Sequence, residues 1–204
     1  MAVHYHKGDL PADLDLGPLI AIDTETLGLS LTRDMLCVVQ LSAGDGDAHV
    51  VQMDRPGYDC PNLKRVLADT GVEKILHFAR FDVAMVEKHL GVTMAPIFCT
   101  KIASKLARTY TDRHGLKDVT RELVGADMNK QQQSSDWGAA ELSPAQLEYA
   151  ASDVLHLHKL REKLTMMLER EGRMELAKAC FDFLPTRARL DIAGWPEIDI
   201  FAHS

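Results

Sequence analysis

The sequence predicts an α/β domain, a mixed sheet of five strands flanked by helices. Two observations carry that prediction. The apolar run Leu19-Ile20-Ala21-Ile22 is followed by two more, over residues 35–42 and 48–53. Ala43-Gly44-Asp45-Gly46-Asp47 separates the second run from the third. Asp-Gly between apolar runs marks a hairpin, so the three form a meander. Beyond residue 60 the pattern turns to alternating helix and strand, as in a sheet covered by helices.

The first strand ends in Asp23-Thr24-Glu25-Thr26. Residues i and i+2 of a strand share a face, so Asp23 and Glu25 project together. They are either two solvated acids at a strand end or a pair that a hard cation, Mg²⁺ or Mn²⁺, holds together. Met35-Leu36-Cys37-Val38-Val39-Gln40-Leu41-Ser42 is the second strand and Ala48-His49-Val50-Val51-Gln52-Met53 the third. The acids between them lack the downstream glutamate of a calcium loop and read as turn chemistry. A helix spans residues 62–68, with Leu63, Val66 and Leu67 on one face. Lys74-Ile75-Leu76-His77-Phe78 is the fourth strand and runs into a helix that ends at Gly91. Asp82 falls in the first turn of that helix, where an acid often does no more than cap. Residues 95–100 make a short fifth strand.

Two helical stripes follow, one on Ile102 and Leu106, the other on Leu116, Val119, Leu123 and Val124. A basic and aromatic connector over 108–114 lies between them. Residues 130–137, with three consecutive glutamines and Trp137, form a polar loop that either touches phosphate and bases or is plain surface. Ser143-Pro144 opens a further helix, with Ser as N-cap and Pro at the first helical position. Tyr149 and Asp153, at i and i+4, share one face of it, and Ala150 and Ala151 let it approach the sheet. His156 and His158, followed by Lys159, read as a solvated face.

The chain of 204 residues suits one domain over 1–204, with residues 1–18 as a loosely attached arm and 185–204 as a tail. Its 46% apolar and 26% charged residues are ordinary for a water-soluble fold. No stretch reaches the roughly 18 apolar residues of a membrane span, and residues 1–7 lack the apolar core of a secretory signal. The four cysteines match no zinc spacing. Cys37 and Cys99 lie in apolar runs and read as buried free thiols, which points to a reduced, cytoplasmic location. A net charge of −7 argues against a basic face gripping long nucleic acid, and favours a short piece or a metal-centred grip.

In combination the motifs are specific. Asp23-x-Glu25 ends a strand, His77-Phe78-x-x-Phe81-Asp82 follows a later one, and Tyr149-x3-Asp153 lies on a later helix. This order and spacing resembles the DEDD exonucleases of the tyrosine type, whose fold is ribonuclease H-like. Thr100-Lys101-Ile102, Asp136-Trp137 and residues 148–153 look like ribonuclease D, although the chain is too short for that enzyme's helical RNA-binding repeats. Asp23 to Leu29, Thr109 to Lys117, Lys130 to Trp137 and the tail from Gly194 make nearly the whole chain similar to the short nanoRNase C family. The resemblance implies a 3′-5′ exoribonuclease that cleaves very short oligoribonucleotides, dinucleotides such as pGpG above all, and that assembles as a ring-shaped homo-octamer. A ribonuclease D-like activity on longer RNA or DNA is the alternative, and a catalytically dead nucleic-acid scaffold a third reading.

Two Mg²⁺ or Mn²⁺ ions held by Asp23, Glu25, Asp82 and Asp153 are expected to flank the scissile phosphate, with Tyr149 positioning the attacking water. The products would be nucleoside 5′-monophosphates. Leu27 and Leu29 either wedge between the bases of a dinucleotide or pack in the core. Thr26, His77, Phe81 and Trp137 are further expected substrate contacts. Arg113, His114, Lys130, Gln133 and Ser134 are candidates by composition for a 5′-phosphate pocket, some of them reaching in from a neighbouring subunit. The apolar and acidic stretch from Trp195 to Phe201 is either an assembly contact or a strap across its own domain.

Overall fold

The strand that ends in the two acids lies inside a six-stranded mixed sheet of order β1-β4-β3-β2-β5-β6. The strands are β1 (Val3–Lys7), β2 (Leu19–Thr26), β3 (Leu36–Ser42), β4 (Ala48–Gln52), β5 (Glu73–Leu76) and β6 (Ile97–Cys99). The structure is a computed structural model that describes residues 2–129 and 131–203. β2, β3 and β4 form the expected antiparallel meander, while β5 joins β2, and β6 joins β5, in parallel. The register shifts between Glu25 and Thr26, a bulge at the end of β2. Bulges re-aim side chains beside functional sites.

The sixth strand corrects the five-strand expectation and the loose arm at residues 1–18. β1 pairs with β4 in parallel at the sheet edge. Its apolar side chains, Val3 and Tyr5, alternate with His4 and His6, so one thin stripe was all the sequence offered, and pairing with β4 supplies the rest. The remainder of the segment is anchored too. Leu10 and Leu16 are buried, and the Asp9 carboxylate accepts from the backbone N–H groups of Asn62 at 2.9 Å and Leu63 at 2.8 Å. Those donors open α1 (Pro61–Ala68), which has no side-chain cap from its own N-cap residue.

The remaining helices are α2 (Ala79–Leu90), α3 (Thr100–Ala107), α4 (Leu116–Val124), α5 (Pro144–Leu155), α6 (Leu157–Arg170) and α7 (Met174–Ile192). α5 begins with a capping box in which Ser143 and Gln146 satisfy each other's backbone groups. It crosses β1 to β4 on one face, and Ala150 packs there with Cys37, Val38, Val50, Trp137 and Leu142. Cys37, Cys60 and Cys99 are buried free thiols. His158 is not part of a solvated face: its Nε2 lies 3.0 Å from the Leu19 carbonyl oxygen.

The tail is shorter than residues 185–204, because α7 continues through Pro185 to Ile192. Leu184 and Ala188 are buried on it, and packing against α2 offsets the backbone hydrogen bond that proline removes. Beyond the helix the chain lies on its own domain. Asp191, itself buried, takes two hydrogen bonds from Arg80, one of them at 2.8 Å, and others from Arg187. The two arginines also donate to the carbonyls of Pro196 and Trp195. Burial pushes the Asp191 carboxyl up, but the arginines overcome it and hold it below the usual range. Ile198 and Phe201 remain exposed.

Candidate active site

β2 carries Asp23 and Glu25 on one face and Thr24 on the other. α5 brings Asp153 to the first face, so that one carboxylate oxygen from each of Asp23, Glu25 and Asp153 lies within 4.8 Å of the others. Asp82 arrives on α2 behind them. It does not cap its helix, whose N-cap position is Phe78. Its buried carboxylate instead accepts a 2.6 Å hydrogen bond from the Thr24 hydroxyl. Phe78 adopts a left-handed conformation, φ 66°, at the sharp turn from β5 into α2, a strained position of the kind that clusters at functional sites.

The electrostatics follow from crowding. Burial, and then repulsion from Asp82, Asp153 and Glu25, raise the Asp23 carboxyl well above the ordinary carboxylate range. Burial and the charges of Asp153 and Asp82 push Glu25 up to about 9. Burial pushes Asp82 up to about 7, against the opposing hydrogen bond from Thr24. Such a set resists ionisation in the absence of a cation. Its hard oxygen donors and spacing fit a divalent ion of the Mg²⁺ class. Tyr149 is kept protonated by burial, by the charges of Asp153, Glu25 and Asp23, and by a hydrogen bond with Asp153. Its ring leans on the buried Trp137, with centroids 6.0 Å apart.

The acids sit where two cavities meet. The larger, about 530 Å³, is lined by Thr26, Leu27, Leu29, His77, Phe78, Phe81, Gln133, Ser134 and Trp137 as well as the acids and Tyr149. Leu27 is 49% and Leu29 83% exposed, which removes the core-packing reading of both. The Leu27 side chain lies so close to Gly138 that a Cβ there would come within 2.5 Å of Cδ2. The smaller cavity, about 240 Å³, shares Asp23, His77, Tyr149 and Asp153 and adds Lys101, Lys117 and Asn129.

Two of the expected contacts are not brought to either cavity. Arg113 is exposed on the connector, and its carbonyl accepts from Arg108 at 2.7 Å. His114 Nδ1 lies 2.9 Å from the Ser104 hydroxyl. Lys130 lies outside the described residues. Sequence reasoning missed Thr24 and Gln40. Gln40 pairs with Asp23 across β2 and β3, is fully buried and donates from Nε2 to Asp23 Oδ2 at 2.8 Å. A glutamine inside the apolar run 36–41 was the available signal, but the strand register that places it against Asp23 is a tertiary fact.

A family model described as a 3′-5′ exonuclease matches residues 9–169, which contain all four acids and Tyr149. The chain belongs to that exonuclease family. The exonuclease is 38% identical over 158 residues to ribonuclease D of Gluconacetobacter diazotrophicus, covering 78% of this chain and 40% of that protein. It therefore spans less than half the length of that relative. Its fold superposes on Brucella melitensis NrnC with bound Mg²⁺ at a TM-score of 0.96, with 54% identity and 100% of each chain covered. The same Brucella protein bound to pGG gives a TM-score of 0.97 at 55% identity, again over 100% of both chains. The family is thus that of the 3′-5′ exonucleases, and the three-carboxylate cluster offers the oxygen ligands that a divalent metal takes. No helix among the described residues is long and apolar enough to cross a membrane.

Proposed function

We propose that this exonuclease hydrolyses very short oligoribonucleotides, dinucleotides such as pGpG above all, to nucleoside 5′-monophosphates. The observation that carries the reading is the pair Leu27 and Leu29, apolar and exposed at a cavity whose other wall is carboxylate. Apolar side chains held in water beside such a site are accounted for when a ligand's bases cover them. A cavity of about 530 Å³ is the size of a small-ligand cleft. The pGG bound to the Brucella protein supports the same substrate class.

Asp23, Glu25 and Asp153 would hold two Mg²⁺ or Mn²⁺ ions, with Asp82 beside them. When bound, such ions neutralise the acids, polarise the phosphate and activate water for in-line attack. Tyr149, a protonated phenol, orients that water rather than deprotonating it. Trp137 fixes the tyrosine ring from behind. Lys101 and Lys117 line the smaller cavity and draw in the negative phosphate. The off-cavity positions of Arg113 and His114 fit a homo-octameric ring in which a neighbouring subunit presents them, with Lys130, to the 5′-phosphate. The free thiols fit a cytoplasmic location.

The test is an initial-rate series on 5′-labelled RNA of two, three, five and twenty nucleotides, in Mg²⁺ and in EDTA. A strong preference for the dinucleotide, abolished by EDTA, is expected. Equal rates at every length overturn the dinucleotide reading. The particle mass in solution tests the octamer.

A further inference from the structure

The sheet edge farthest from β6 carries a second cluster of ligand-type side chains. β1 contributes His4 and His6, at i and i+2 and therefore on one face. β4 contributes His49, directly opposite His4 in the parallel register. The rings are ordered against one another. His4 stacks on His49 with centroids 4.8 Å apart and planes 19° apart. His6 and His49 have centroids 5.3 Å apart and planes only 8° apart. His6 Nε2 and His49 Nδ1 are 3.0 Å from each other and share one proton in a ring-to-ring hydrogen bond. His4 Nε2 lies 3.4 Å from the Asp47 carboxylate, whose other oxygen is anchored at 2.7 Å by the Ala2 backbone N–H. β3 stands between β4 of this cluster and β2, so the cluster does not belong to the nuclease centre.

We propose that His4, His6 and His49 form a binding site for one borderline divalent transition metal, of the Zn²⁺, Ni²⁺ or Co²⁺ type. Imidazole nitrogens suit these ions, as carboxylates suit Mg²⁺. Two histidines at i and i+2 on one strand and a third on its neighbour can face a single ion, the three-imidazole set that zinc accepts with an open fourth position. At a zinc–nitrogen distance of about 2.0–2.1 Å, two ligand nitrogens of a tetrahedral site lie about 3.3 Å apart. The His6–His49 pair is already close to that separation. In the metal-free arrangement the rings stack rather than converge. On binding, the ion takes the place of the shared proton, and the ring that donated moves its proton to its other nitrogen. His4, half-exposed, turns in from the open side. Asp47 keeps the His4 Nε2, leaving Nδ1 as the ligand, the carboxylate-to-histidine support that metal-bound imidazoles usually have. His6 and His49 are also ready in charge: burial and their histidine neighbours lower both, outweighing the pull of Asp45 and Asp47 on His49, so both are neutral at pH 7. Bound there, the ion ties the edge strand β1 to β4.

The probe is Ni²⁺ alone, titrated calorimetrically into the full chain in excess Mg²⁺, which keeps the carboxylate centre filled. One Ni²⁺ per chain is expected. His6→Gln and His49→Gln should each weaken it at least tenfold and leave RNA hydrolysis unchanged. Asp153→Asn should keep the Ni²⁺ site. Co²⁺ should give the intense visible absorption of a nitrogen-ligated ion, absent from the His6→Gln/His49→Gln double variant. Thermal melts in EDTA confirm that the variants fold, and Ni²⁺ should raise the melting temperature of the parent protein and of Asp153→Asn but not that of the double variant. No Ni²⁺ binding by the parent overturns the proposal. So does Ni²⁺ binding that survives the double variant, or that disappears in Asp153→Asn.

Discussion

Replacing Gln40 by leucine should separate activity from stability. The side chain is fully buried and does two opposing things. Its Nε2 donates to Asp23 at 2.8 Å, while its Oε1 is buried with no partner among the described residues. In EDTA the crowded Asp23 carboxyl resists ionisation, so the bond is one between neutral groups and contributes about 0.5–1.5 kcal/mol, while an unsatisfied buried acceptor costs about 1–3 kcal/mol. Leucine of similar volume removes both, so the net change in unfolding free energy should lie within about 1 kcal/mol of zero. Activity has no such compensation. Asp23 loses the donor that fixes its carboxylate, and losses of support to a metal ligand cost about 10–100-fold in metal affinity or activity. The assay is RNA hydrolysis across a Mg²⁺ titration, paired with urea unfolding in EDTA. A rightward shift in Mg²⁺ dependence at unchanged stability is expected. Full activity, or a stability loss above about 3 kcal/mol, would refute the argument, since either means that Gln40 holds the fold and not the acid.

Asp153→Asn should abolish hydrolysis and leave the fold intact; wild-type rates in that variant, measured on the dinucleotide, remove the assignment of the centre. Gly138→Ala pushes the end of the Leu27 side chain, not backbone, so it should lower dinucleotide turnover with little change in melting temperature. Asp191→Asn leaves Arg80 and Arg187 without their carboxylate and should cost about 1.5–3 kcal/mol by urea unfolding, the contribution of hydrogen bonds to a charged group. Burial pushes the Cys60 thiol up to about 11, against about 8.5 in an unfolded chain. Between those values the folded state binds more protons than the unfolded one, so Cys60 lowers stability as pH rises through that window. Cys60→Ala should therefore unfold with a shallower alkaline dependence than the parent in a urea series run from pH 8 to 11.

The clustering of the acids with Tyr149 was legible because its signals are local. Asp23 and Glu25 end an apolar strand, Asp82 opens a helix directly after another, and Tyr149 and Asp153 are one helical turn apart. Each spacing maps onto a face without any knowledge of the rest of the chain. What the sequence concealed was set by pairing. β1 is five residues long with two apolar side chains, Val3 and Tyr5, and becomes a strand only because β4 is there to receive it. Gln40 acquires its role from a register, Asp23 opposite Gln40, that no pattern within either strand encodes. α7 persists through Pro185 because Leu184 and Ala188 are buried, which again is a tertiary fact.

The same distinction explains why the acids need the groups behind them. Three carboxylates crowded within 4.8 Å, with Asp23 and Glu25 pushed towards protonation, are an arrangement that folding alone would disperse. They are held by rigid neighbours: the bulge after Glu25, the Gln40 amide on Asp23, the Thr24 hydroxyl on Asp82 and the alanines that let α5 lie close on the sheet. Every one of these is neutral or apolar. A positive side chain placed there would cancel part of the charge with which the acids recruit a cation. The cluster can bind metal because the protein surrounds it with donors that orient carboxylates without cancelling them. The cations that line the site, Lys101 and Lys117, sit in the adjoining cavity, where they can meet phosphate.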